Sequence, residues 1–408
     1  SNSLSTKTKD KNELLAIVAL NCNKGYYENI FGKISKAISS YELAWKIYHK
    51  NKLTTYDITE YCLKPLGNLY TLIGDYSNAE NSIKQYYFVA SQEKNESQKQ
   101  AAVLNLSNVY QNTGRIDQAI ELLEKTIQKE KLTNAQKGLL YNNLGSNYFL
   151  NTRATKMKSY AFENAEKAFL KAVLLLEREP SQHEALTNSY RNLCKLNLER
   201  KNKQMALHYF EKAKHTFEKI PNPNPRKKAQ FYFDEANMLF KQREITASSL
   251  AIERVFKTLI PAYSSAKTVL PNQSALYAET ILLDVLDLQA ELFLAQSQPK
   301  KALESYALAF HIEALFQSLL VYENSKIIIQ IRNRNRTERC IAIYQSLFQK
   351  ENKKNYLESA FLLAEKTKSI VLKANLNLKK FQSHEEKLLL EQLQNHNTII
   401  VKEQQKGA

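Results

Sequence analysis

Small and ring-bearing residues recur along the chain at helical spacing, and the groups they form recur in turn. The stretch 141–148 reads Y-N-N-L-G-S-N-Y. Upstream, Leu63-x2-Leu66-Gly67-x2-Tyr70 repeats it, and Val103-x2-Leu106-Ser107-x2-Tyr110 is a weaker copy. Each copy is followed by Ala-x3-aromatic or Ala-x3-aliphatic. Apolar residues three and four apart lie on one side of a helix, so each unit predicts helix, turn, helix. The small residues let the two helices approach closely, and the ring fills the space between them. Strict apolar/polar alternation is scarce, so almost no sheet is expected.

The first half of the unit resembles the tetratricopeptide pattern W-x2-L-G-x2-Y, with Tyr for Trp at 141. A unit of this kind cannot bury its apolar stripe alone and must stack on its neighbours. The resemblance implies an all-α fold, a right-handed α-solenoid of about eight helix pairs with a C-terminal helix. Marker alanines stand at 37, 79, 119, 165, 206, 302 and 360. The first four intervals are 42, 40, 46 and 41 residues, longer than the usual repeat of about 34. Pro65 should start its helix late or bend it, because it removes a helical hydrogen bond. Asn112-Thr-Gly-Arg115 reads as a helix stop with Gly in the left-handed turn. A polar, basic insertion around residues 151–160, with Arg153, Lys156 and Lys158, lengthens the turn of the fourth unit. Pro221-Asn-Pro-Asn-Pro225 is the strongest breaker in the chain. Three segments are expected: a repeat array over 1–220, a degenerate array over 221–378, and a C-terminal helix over 379–408, whose reading as a linker comes from the resemblance given below.

Composition refines this picture. Only 8 Gly and 8 Pro occur in 408 residues, which suits long helices joined by short turns. Lys plus Arg is 58 and Asp plus Glu is 41, a net charge of +17. The Lys residues are scattered among Glu along helices, so solubility explains the excess better than a phosphate-binding patch does. The four cysteines, Cys22, Cys62, Cys194 and Cys340, have no metal-ligand spacing and read as buried thiols. No apolar run is long enough to span a membrane. The expected location is cytoplasmic, or extracytoplasmic after removal of a leader.

Near the C-terminus, Phe316–Tyr344 reads F-Q-S-L-L-V-Y-E-N-S-K-I-I-I-Q-I-R-N-R-N-R-T-E-R-C-I-A-I-Y, and Tyr356–Leu376 contains the run A-F-L-L-A-E-K-T-K-S-I-V-L. This segment resembles the last repeats of bacterial CHAT proteins, in which a tetratricopeptide array precedes a caspase-like peptidase domain. Residues 382–405 resemble that family's linker. The resemblance implies a recognition or regulatory arm. The family's His and Cys motifs are not found, and Cys340 falls inside a repeat helix.

No phosphate-binding loop, dinucleotide fingerprint or nucleophile elbow is present. His208 and His215 share a helix face but lack the partners of a zinc site. The expectation is a non-enzyme with no cofactor and no metal. Arg332, Arg336 and Arg339 share one helix face and form a candidate anion contact. In a tetratricopeptide array the first helix of each pair faces the concave groove. That places Lys64, Asn68, Asn105, Asn108, Asn142, Asn188 and Asn192 on the groove. Lys64, Asn68 and Asn105 match part of the carboxylate clamp of co-chaperone repeats. Its two remaining basic positions are Leu139 and Asn143 here, so that clamp is incomplete. Asn side chains both donate and accept, and a row of them can hold an extended peptide backbone. The leading expectation is a protein- or peptide-interaction scaffold. The alternatives are a basic nucleic-acid or nucleoprotein binder, and the repeat arm of a sensor protein.

Overall fold

The computed structural model describes residues 10–368 except 130, 153–157, 180, 265–267 and 320–322. Among the described residues there are sixteen α-helices and no strand. They come in pairs: α1 (Lys11–Ile30) and α2 (Ile34–Lys50), α3 (Lys64–Ile73) and α4 (Tyr76–Gln92), α5 (Glu96–Asn112) and α6 (Ile116–Lys129), α7 (Asn134–Asn151) and α8 (Lys158–Leu176). Then follow α9 (His183–Glu199) and α10 (Lys203–Phe217), α11 (Pro225–Lys241) and α12 (Ile245–Leu259), α13 (Thr280–Ala295) and α14 (Pro299–Leu319), α15 (Glu323–Glu351) and α16 (Asn355–Thr367). The fold is an all-α solenoid of tetratricopeptide-like helix pairs. The chain divides into two compact units, residues 1–329 and 330–408.

In the first unit each odd-numbered helix packs on the even-numbered helix that follows it. The marker residues explain why. Ala37, Ala79, Ala119, Ala165, Ala206 and Ala302 are fully buried. A Cβ on Gly145 would stand 2.6 Å from the ring of Phe169, and one on Gly67 would stand 2.8 Å from Ile83. The helices therefore approach to a distance that only glycine permits at these points. Tyr41, Tyr86 and Phe169 fill the remaining space between helices.

In several pairs the turn holds a single left-handed residue ahead of the second helix. Gly74 and Gly114 serve there with φ of 82° and 77°, as the Asn-Thr-Gly-Arg reading expects. In later pairs the same place is taken by Lys201, Arg243 and Ser297, with φ of 59°, 72° and 60°. Asp75 and Asn202 then cap the second helix by accepting from the backbone N–H three residues on. Pro65 sits at a switch between helix types. Residues Thr59–Leu63 form a π turn, and the Lys64 N–H donates to the carbonyl of Thr59, five residues back. The α3 register begins at that point, so the missing N–H of Pro65 is absorbed where the ladder changes.

Successive pairs are tied by tyrosines of the odd helices. Tyr70 donates to Glu42 at the start of the second pair, Tyr148 to Glu124 and Tyr190 to Glu177. The core also runs across the proline-rich turn at 221–225, where Phe217 and Phe231 stack with ring centroids 4.4 Å apart.

In the second unit, α16 has no buried residue. Ala360 is half-buried, unlike the other marker alanines, and Phe361 and Leu362 are exposed. The linker helix expected over 379–408 lies outside the described residues, as do Arg153 and Lys156 of the insertion.

Candidate functional site

Within the first unit, α3 touches α5, α5 touches α7, α7 touches α9, α9 touches α11 and α11 touches α13. Among the described residues no comparable contact joins successive even-numbered helices. The odd helices form the tighter layer, and its outward side is the face on which the amide row was expected.

The amides on that face bridge neighbouring helices. Asn143 on α7 donates to Asn108 on α5 across 3.3 Å. Asn192 on α9 donates to Asn142 on α7 across 3.0 Å and to Ser146 across 3.3 Å. Asn188 accepts from Arg191 across 2.6 Å. All five asparagines are half-buried. A bridging amide that donates inward keeps its carbonyl oxygen for a further hydrogen bond, and one that accepts keeps its N–H groups. Half-burial holds the rotamers while leaving one edge open to a ligand.

The remaining expected residues fall as follows. Lys64 pairs with Glu60 at 2.6 Å, so its charge is locally neutralised. Asn68 is exposed and Asn105 half-buried, both on the odd helices. Of the basic cluster, Arg336 is buried and donates to Asn333 across 3.4 Å, whereas Arg339 is exposed. The side chain of Arg332 lies outside the described residues. These arginines belong to the second unit.

Sequence reasoning missed a charged group between α9 and α11, next to the amide row. Asp234 on α11 is buried and accepts from the guanidinium of Arg191 and, at 3.0 Å, from the ammonium of Lys195, both on α9. Burial alone would raise the carboxyl's pKa, but the two cations outweigh it and hold the group below the ordinary carboxylate range. In the sequence Arg191 and Lys195 are four apart on one helix and Asp234 lies about one repeat period beyond Arg191, but that spacing does not mark the Asp as buried.

His208 and His215 do share a face. With His183, Glu177, Lys212 and Lys219 they line a cleft of about 530 Å³ on the opposite side of α9. Among the described residues no group of three or more His, Cys, Asp or Glu is placed to hold a metal ion. Cys340 is buried, and burial beside Asp234 pushes the Cys194 thiol up to about 12. No described helix is long and apolar enough to cross a membrane.

No family model matches the chain, and no curated protein matches it. Solved structures do. A Rap protein complexed with competence and sporulation factor is 13% identical, with 74% of this chain and 76% of that one covered at a TM-score of 0.52. The apo form of the quorum sensor NprR from B. thuringiensis is 14% identical over 75% of this chain and 78% of that one, TM-score 0.51. The Rap conjugation gene regulator of plasmid pLS20 in complex with the Phr* peptide is 16% identical over 75% and 76%, TM-score 0.50. At such identities the likeness is one of fold.

Proposed function

We propose that this chain is a non-catalytic scaffold that binds a peptide or an extended protein segment along the odd-helix face. The observation that carries the reading is the row of bridging amides, Asn108–Asn143 and Asn142–Asn192, running across three successive odd-numbered helices. Rigid helices hold these groups in place before a ligand arrives, which lowers the ordering cost of binding. Their open edges alternate donors and acceptors, as an extended backbone requires. Two of the fold neighbours were solved with a factor or peptide bound, which supports the same use here.

The finer form of the proposal makes the scaffold the regulatory arm of a caspase-like peptidase, in a cytoplasmic setting. It rests on the resemblance of residues 360–372 to the CHAT terminal repeat. A reading frame continuing past Ala408 into an α/β domain with a His and Cys pair would support it, and a histidine kinase there would replace it.

The test is selection of binders from a displayed random-peptide library, followed by affinity measurement on the Asn143→Ala/Asn192→Ala variant. Both residues are partly open to solvent, so fold and helicity should persist. The expected result is a loss of tenfold or more for most selected peptides. Undiminished binding by the variant would remove the amide face from the account.

A further inference from the structure

The helices α9 and α11 are joined by three ionic rungs at almost constant offset. Glu184 pairs with Lys227, 43 residues on, at 2.6 Å. Arg191 pairs with Asp234, also 43 on. Glu199 pairs with Lys241, 42 on, at 3.0 Å. The outer rungs set one acid on α9 against one base on α11. The middle rung is reversed and unbalanced, because Lys195 joins Arg191 on the same carboxylate. Two cations face one anion, leaving one net positive charge midway along the seam.

The two cations are not equivalent. Arg191 is spent: its guanidinium is committed to Asp234 and Asn188, and its side chain is 13% exposed. Lys195 makes a single bond to Asp234 and is 37% exposed. An ammonium carries three N–H donors, so two remain directed away from the rung. On the same helix Asn188 keeps its N–H groups, because Arg191 uses only its carbonyl oxygen, whereas both N–H groups of Asn192 are committed to Asn142 and Ser146. A half-buried cation with open donors, on the same helix as the open amide N–H groups of Asn188, is a seat for an anion of carboxylate size. Lys64, by contrast, already has Glu60.

We propose that the Lys195 rung is the register-fixing anchor of the face, taking a carboxylate of the bound peptide. The inference rests on the reading of the amide face as the binding face. Amides that grip backbone tolerate any register, whereas one ionic contact at a fixed point removes that freedom. The carboxylate can come from a peptide C-terminus or from an Asp or Glu side chain. It is seated away from the incomplete co-chaperone clamp, whose missing basic positions are Leu139 and Asn143 on α7.

The test uses the full chain and fluorescein-labelled random decapeptide pools in free-acid and C-amidated forms, measured by anisotropy against wild type and Lys195→Gln. Circular dichroism confirms that the variant is folded, as expected with Arg191 still neutralising Asp234. If the C-terminus is the anchor, the free-acid pool binds wild type about tenfold more tightly than the amidated pool, and Lys195→Gln abolishes the difference. If a side chain is the anchor, the two pools bind alike, but amidated peptides retained on wild type are enriched in Asp and Glu, and the variant loses that enrichment. Binding that is indifferent to every carboxylate and unchanged in Lys195→Gln overturns the anchor and leaves the amide face standing. No binding by any pool overturns both.

Discussion

At the scale of single residues, the most consequential side chain is Asp234, which is buried against two cations. Removing the charge from such a group strands its partners, and breaking a buried pair this way costs about 3–5 kcal/mol. Asp234→Asn should therefore lower stability by about that amount at pH 7. The pH dependence follows from the direction of the shift. The folded-state pKa lies below the ordinary value, so the contribution is complete above the unfolded pKa of about 3.9 and is lost as pH falls towards the folded one. Urea midpoints of wild type and variant should be well separated at pH 7 and converge below about pH 4. Parallel curves across that range would show that Asp234 is not ionised against Arg191 and Lys195. The sequence hid this residue because a lone Asp in a helix reads as a solvated charge. Only the fold brings Arg191 and Lys195 beside it from one repeat away. The glycines were the opposite case: Gly67 and Gly145 stood in a recognisable pattern, and the 2.6 Å clearance at Gly145 is the physical reason for that pattern.

At the scale of elements, the helix pairs were legible because burial imposes a period on the chain. Alanines needed at every crossing must recur, and six of the seven markers are fully or nearly fully enclosed. The turns were legible only where glycine marks them. Lys201, Arg243 and Ser297 hold the same left-handed conformation as Gly74 and Gly114 without a sequence signature. A non-glycine residue there pays a steric penalty of roughly 1–2 kcal/mol, partly offset by glycine's greater freedom in the unfolded chain. Arg243→Gly should consequently stabilise the protein by about 0.5–1 kcal/mol in urea titration. A loss of stability would mean that the Arg243 side chain makes a contact outweighing the strain. The π turn at Thr59–Leu63 was half legible: Pro65 announced an irregularity, but not the change of helix type that accommodates it.

At the scale of the molecule, the charge balance is diffuse. Cations are paired along helices, as in Lys84–Glu80 and Lys125–Glu121, or between them, as in Arg200–Glu166. The densest arginine run has one member, Arg336, turned inward. What sets the first unit apart is the layer of odd helices, whose amides bridge from α5 to α9 and are followed by a cationic rung between α9 and α11. The face could be listed from the sequence because helix pairing fixes which residues point outward from the first helix. Its charge could not, since that depends on contacts a whole repeat apart. The most direct measurement is photo-crosslinking of a selected peptide carrying benzoylphenylalanine at successive positions, with the attachment points read by mass spectrometry. Crosslinks are expected on the odd helices, concentrated around Asn108, Asn143 and Asn192 and advancing from α5 to α11 as the photoprobe moves along the peptide. Crosslinks confined to the even helices, or to the His-lined cleft beside α10, would contradict it.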